Sequence, residues 1–494
     1  VTRRKRVVSG LIVASVLAVG GRARAEVVLS NFDGWEIFGS GRVGAFVEVL
    51  KGDPIPQAYG NQYMVDGTGM LQPVPVIDPA TGMPVIDPAT GMPKIQQGPI
   101  HPVGDGGVRP GPTDPVLEPD GSAGQGQLFA SRVRSGFLPN IFGFGVRRQM
   151  TERTKLTGFV SLWFTAETDS RRTFYANYPD AREAYLKLEG PGGSLTVGRA
   201  LSLFSRGAVE IDFLYGHGYG VGNPAGFDER GPSAGHIGYG VVAPVFVAGV
   251  QYATPVFHGL QLTAAYFDPG TVVGLYWGRT KFGRPEAEAT YDLTFGSGNR
   301  LHLFANGAWQ AIYSNDLVKD AMGNNTDTPR SASVYGGGAG GRIEVGPVHL
   351  GVAGHRGQGL GVGYFLDGSD ADFAQFTTQQ LRMFNGAYVQ SQVVAGKFDF
   401  NVGWGRTWID PLDVDSNSNW CGTFTPATPC SGFDLAGRPG RSFLKSQMGV
   451  SAVVVYHVSR YLHFAFDYFL ADVQWQQGEK QIVNAFNLGS TLTW

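Results

Sequence analysis

Ile482-Val483-Asn484-Ala485-Phe486-Asn487-Leu488-Gly489-Ser490-Thr491-Leu492-Thr493-Trp494 decides the fold. Phe486, Leu488, Leu492 and Trp494 share one face of a period-2 pattern, and Asn487, Gly489, Thr491 and Thr493 share the other. Such alternation makes a strand with one apolar and one polar side. Tryptophan is a residue type that gathers at the two rims of a bilayer, so lipid is the expected solvent for the apolar side.

The same theme recurs upstream. Ala287, Ala289, Tyr291, Leu293 and Phe295 oppose Glu286, Glu288, Thr290, Asp292 and Thr294. Phe398, Phe400, Val402 and Trp404 oppose Lys397, Asp399 and Asn401, while Leu462, Phe464, Phe466, Tyr468 and Leu470 oppose His463 and Asp467. Unpaired charge is too costly to bury in a dry sandwich core, so the charged face is expected to be wet. The pattern predicts strands at 35–50, 128–149, 155–168, 182–189, 193–200, 236–253, 259–268, 284–295, 300–313, 333–345, 348–356, 385–395, 397–408, 441–457, 460–473 and 481–494. These make sixteen, an even number that suits a closed antiparallel transmembrane β-barrel.

The connections alternate as well. Thr151-Glu152-Arg153-Thr154, Gly190-Pro191-Gly192, Gly296-Ser297-Gly298-Asn299, Gly346-Pro347 and Gly396 are short turns, and long polar connections follow the intervening strands. Short periplasmic turns and long outer loops are the layout of outer-membrane barrels. The longest connection, 51–127, is proline-rich and repeats nine residues, Pro75 to Met83 and again Pro84 to Met92. Proline removes ladder donors, so an extended surface loop is expected there, with a cap or adhesive patch as its functional reading.

Residues 1–25 read as a secretory signal: the basic Thr2-Arg3-Arg4-Lys5-Arg6, the apolar Val7 to Gly20, and Ala23-Arg24-Ala25 before the cleavage point. Residues 26–494 are then the barrel. Six of the 39 basic residues lie in the signal, leaving 33 against 41 acidic ones, a balance that argues against a nucleic-acid partner. The 73 glycines, 12% aromatics and 16% charged residues fit alternating strands better than disorder or a helical membrane protein. Beyond the signal no apolar run is long enough for a transmembrane helix. Cys421 and Cys430 share one polar stretch, and in an oxidising exported setting a local disulfide is the simple expectation. No histidine near them completes a metal site, and no cofactor is expected.

Ala184-Tyr185-Leu186-Lys187-Leu188-Glu189-Gly190 followed by Ser194 to Gly198-Arg199 resembles a hairpin of the Gram-negative outer-membrane general porins. Tyr252-Ala253-Thr254-Pro255-Val256-Phe257-His258-Gly259 resembles a second turn of that family. The resemblance implies a 16-stranded homotrimer in the cell outer membrane, embedded in lipid and passing ions and small hydrophilic solutes. It also implies a third long loop folded inward, here 201–235, carrying Glu210, Asp212, Asp228 and Glu229 against basic wall residues. By position those are Arg42, Arg134 and Arg199. Val245 stands where a further family arginine would lie, with Arg230 as its available substitute. In such proteins the terminal strand, here Phe486, Leu488, Leu492 and Trp494, is also read by the insertion machinery.

Two other readings compete with a channel. A barrel enzyme needs a nucleophile aligned with a histidine; the nine histidines are scattered and no serine-elbow or helical metal pair occurs. The Gly336 to Gly341 run lacks the strand-helix context of a dinucleotide site and reads as a crowded strand. A surface adhesin would use the 51–127 loop.

Overall fold

The computed structural model describes residues 26–53, parts of 58–109, and 128–494 except 136–137, 139, 165–179, 215–234, 271–278, 320–324, 364, 367–380, 412–443 and 476–479. The expected signal, Cys421, Cys430, Asp228, Glu229 and Arg230 lie outside the described residues.

One closed antiparallel sheet dominates. Its segments are β1 (Val27–Phe32), β2 (Trp35–Gly52), β3 (Leu128–Arg134), β4 (Asn140–Thr151), β5 (Thr154–Phe164), β6 (Asp180–Gly190), β7 (Gly193–Leu201), β8 (Phe246–Ala253) and β9 (Leu260–Phe267). It continues through β10 (Arg284–Phe295), β11 (Asn299–Lys319), β12 (Asn325–Val345), β13 (Val348–Gln358), β14 (Met383–Ala395), β15 (Phe398–Ile409), β16 (Leu444–His457), β17 (Leu462–Trp475) and β18 (Lys480–Thr493). These segments fill sixteen positions around the barrel, because two positions are composite. Along one edge of β2, β3 and β4 lie end to end, with Phe46 opposite Arg134 and Arg42 opposite Ile141. Along its other edge, β18 and then β1 do the same, with Arg42 opposite Thr493 and Gly39 opposite Val27. In hydrocarbon each unsatisfied backbone group costs several kcal/mol, so a sheet without free edges is the form in which strands span a bilayer.

The alternation sorts side chains as the sequence demands. Phe398, Phe400 and Val402 are exposed on the outer surface, while Asp399 and Asn401 between them are buried on the inner one. Phe486, Leu488 and Leu492 are exposed and Asn487 and Thr491 buried. Trp494 exchanges both backbone hydrogen bonds with Gly41, and its ring meets Phe142 edge-on at 5.2 Å. Gly346 (φ 55°) and Gly396 (φ 62°) reverse the chain between β12 and β13 and between β14 and β15, a left-handed conformation that suits glycine.

Three differences from the sequence expectation have physical causes. β1 was not anticipated; it is short and serves to extend the closing strand. Residues 236–245 do not open β8. Gly238 (φ 81°) and Gly240 (φ 110°) break the extended run and Pro244 has no ladder donor, so this stretch turns into the lumen instead. In the proline-rich connection, short ladders form after all: Ala58–Asn61 with Gln97–Pro102, that segment with Val108–Arg109, and Tyr63–Val65 with Leu71–Pro73.

Candidate functional site

After β7 the chain leaves the wall and crosses the lumen. Ser205 (φ 65°) turns it into a short helix, α1 (Arg206–Glu210). The crossing is fastened to the wall at nearly every step. The Leu203 and Phe204 N–H groups both donate to Glu286 Oε2 at 2.7 Å, and Arg284 Nε donates to Glu286 Oε1 at 2.6 Å. Arg206 forms an ion pair with Glu288. The Tyr388 hydroxyl donates to the Ala208 carbonyl at 2.6 Å. Gln390 uses both ends of its amide, donating to Ile211 O at 2.7 Å and accepting from Phe213 N at 2.9 Å.

Asp212 holds the far end of the crossing. Its carboxylate accepts from Leu214 N at 2.9 Å and His236 N at 2.8 Å, and faces His236 Nδ1 at 3.1 Å. The His236 ring stacks on Tyr388 at 4.4 Å. The return segment is then tied by Thr407 Oγ1, which accepts from Gly240 N at 2.8 Å, and by Gln447, which donates to Gly238 O at 2.7 Å. Hydrogen bonds of this kind are worth about 0.5–1.5 kcal/mol each, and about 1.5–3 where a carboxylate takes part. Their number, more than any single one, holds a loop inside a pore.

Wall glycines make the seat. A Cβ on Gly336 would stand 2.7 Å from Leu360 Cδ2, and one on Gly403 would stand 2.6 Å from His236 Nε2. The crowding read in the Gly336 to Gly341 run is therefore contact with inward segments. A second such segment follows β13: Ala243 N donates to Gly363 O at 2.8 Å, joining the two inward loops directly.

Beside α1 a polar cavity of about 70 Å³ remains. Glu183, Tyr185, Lys187, Thr196, Gln251, Gln261 and Thr263 line it from β6–β9, and Arg206 and Glu210 line it from the helix. Burial pushes the Glu210 carboxyl up to about 7; Arg206 and His302 oppose this, while Glu288 and Asp292 reinforce it. Burial works against the charge on Arg206, but Glu288 and Glu210 outweigh it and raise the guanidinium above its ordinary value. Helix and wall thus present mixed charge across a gap one or two waters wide.

The anticipated residues are distributed as follows. Glu210 lines the cavity. Asp212 is 2% exposed and serves the loop's own geometry. Arg42 is buried on the inner face of β2. Arg134 stands opposite Phe46 in the ladder. Arg199 is exposed in the outward row of Leu195 and Val197, away from the lumen. Glu286, Glu288, Tyr388, Gln390, Thr407 and Gln447 were not anticipated. Their inward polar positions were legible, but their partners lie 80 to 200 residues away in sequence. Among the described residues no group of three or more His, Cys, Asp and Glu is placed to hold a metal ion.

No family model matches the sequence, and no curated protein matches it. The fold is similar to that of the anion-selective porin from Comamonas acidovorans, with 11% identity, 93% of this chain and 100% of that chain covered, and a TM-score of 0.50. Also similar are a loop L8 deletion mutant of OmpT from Vibrio cholerae (12% identity, 94% and 100% covered, TM-score 0.47) and OprB from Pseudomonas putida (10%, 92% and 94%, 0.46). The chain is a 16-stranded antiparallel β-barrel matching known outer-membrane porin structures.

Proposed function

We propose that this chain is a passive diffusion channel of the Gram-negative outer membrane, conducting ions and small hydrophilic solutes. The observation that carries the reading is the polar, mixed-charge cavity left beside α1 inside a closed barrel whose outer surface is apolar. Charges held across a narrow aqueous gap bias which solutes enter, as rings of charge do in other channels. Glu210 and Arg206 face Glu183 and Lys187 across that gap, and Arg42 and Arg134 belong to the wall elsewhere. The sequence resemblance to general porins supports a homotrimer, and so does Arg199. An outward arginine costs about 2–4 kcal/mol at the bilayer midplane and less toward the interfaces. A neighbouring subunit over Ala184 and Ala248, its ladder partners, would relieve that cost.

An enzymatic reading finds less support. The buried Asp212–His236 pair resembles part of a catalytic relay, but His236 Nε2 looks at Gly403, where no nucleophile stands. Liposome swelling with neutral sugars of rising size tests the channel reading. Proteoliposomes should swell with small sugars and stop at a sharp size limit; purified, folded protein that admits none would overturn it.

A further inference from the structure

The inner wall of a barrel full of water has no reason to be apolar, yet here much of it is. Leu214, near the far end of the crossing, packs with Phe46 of β2, Val455 of β16 and Ala465 of β17. Val209 and Ile211 join Trp163 of β5 to Phe304 of β11 and Tyr388 of β14. A third and larger cluster holds inward residues of the wall such as Ile312, Val334 and Val483 against Leu360 and Phe365 of the second inward segment. Val334 and Val483 are at most 1% exposed. The expectation that the inner face is wet throughout is thereby corrected. Apolar contacts run from one wall to the opposite one, and apolar interiors of this kind stay dry.

The polar cavity lies to one side of this packing. Around it, charges are paired unevenly. Lys155 and Lys187 both reach Glu189 at 3.1 Å, and Arg206 is paired with Glu288. With Glu183 and Glu210 on the lining, four carboxylates face three cations.

Resting on the channel reading above, we propose that a dry septum of two inward loops divides the lumen, and that solutes pass on one side only, between α1 and β6–β9, with small cations favoured. The septum consists of 203–214, 236–243 and 360–366 docked on the glycine-lined wall. The path is narrow because the septum takes the rest of the lumen, and its sign follows from the unmatched carboxylate. In a passage with little water, one uncompensated charge acts over several ångströms with weak screening.

Single cysteines test this in a background where Cys421 and Cys430 are serine. T263C and Q261C sit on the path; V334C and V483C sit in the septum. Each is recorded in a planar bilayer while a cationic or an anionic methanethiosulfonate reagent is added, and labelling after denaturation verifies that every thiol is present. The septum is supported if T263C and Q261C lose most of their current, faster with the cationic reagent, while V334C and V483C neither react nor change. It is overturned if V334C or V483C reacts as fast as T263C, or if modified T263C and Q261C conduct as before. A faster reaction with the anionic reagent would overturn the cation preference. A background protein silent before any reagent is added would instead overturn the channel reading.

Discussion

Replacing Glu286 by alanine removes the carboxylate that receives the crossing loop where it leaves the wall. Two backbone N–H groups, of Leu203 and Phe204, lose acceptors at 2.7 Å. At about 1.5–3 kcal/mol for each bond to a charged group, docking of the loop weakens by about 3–6 kcal/mol. At about 1.4 kcal/mol for each power of ten, the docked-to-undocked ratio falls at least a hundredfold. Arg284, 1% exposed, is left as a buried charge without its partner, which adds to the cost. Glu286→Gln keeps an acceptor oxygen and gives up the charge, so roughly half the effect is expected. Single-channel recording and limited proteolysis of inserted protein read the outcome together. E286A should show a larger, noisier open current and new cleavage close to α1, with E286Q between it and wild type. E286A with wild-type current and wild-type protease resistance would refute the assignment of Glu286 as the anchor.

Other consequences are simpler to check. Glu210, whose carboxyl is pushed up to about 7, is neutral below that pH and charged above it, so cation preference should rise as pH passes through about 7; reversal potentials in a salt gradient should show the rise in wild type and its absence in E210Q. Because Arg199 points outward, R199L should leave the reversal potential unchanged, and a shift would place its side chain in the lumen. Deleting Trp494 removes two hydrogen bonds to Gly41 and an aromatic contact worth about 0.5–1.5 kcal/mol. The fraction assembled in membranes should fall while the conductance of molecules that do assemble stays the same; normal assembly would count against the terminal strand as an insertion signal.

Strand positions were legible because one solvent boundary is repeated sixteen times, and each crossing rewrites it as apolar and polar residues in alternation. Phe398, Phe400 and Val402 need no tertiary information to be placed outside. The inward loop was legible in position, through its resemblance to a family, but not in content. Asp212 looks like a pore charge in sequence; its role as a turn anchor depends on His236, brought back only by the return of the chain. Arg199 teaches the opposite lesson. Alternation from Leu195 and Val197 already set it on the apolar row, and the family motif alone suggested the lumen. Residues 236–245 read as strand because their composition is apolar, and only the backbone demands of Gly238 and Gly240 betray the turn inward.

The central claim is that this barrel conducts passively through a path constricted by its own inward loop. Purified protein added to a planar bilayer tests it most directly. The expected record is stepwise, voltage-ohmic insertion events of small unitary conductance, enlarged in E286A. A bilayer that stays silent with folded protein inserted, or wild-type steps as large as those of E286A, would contradict it.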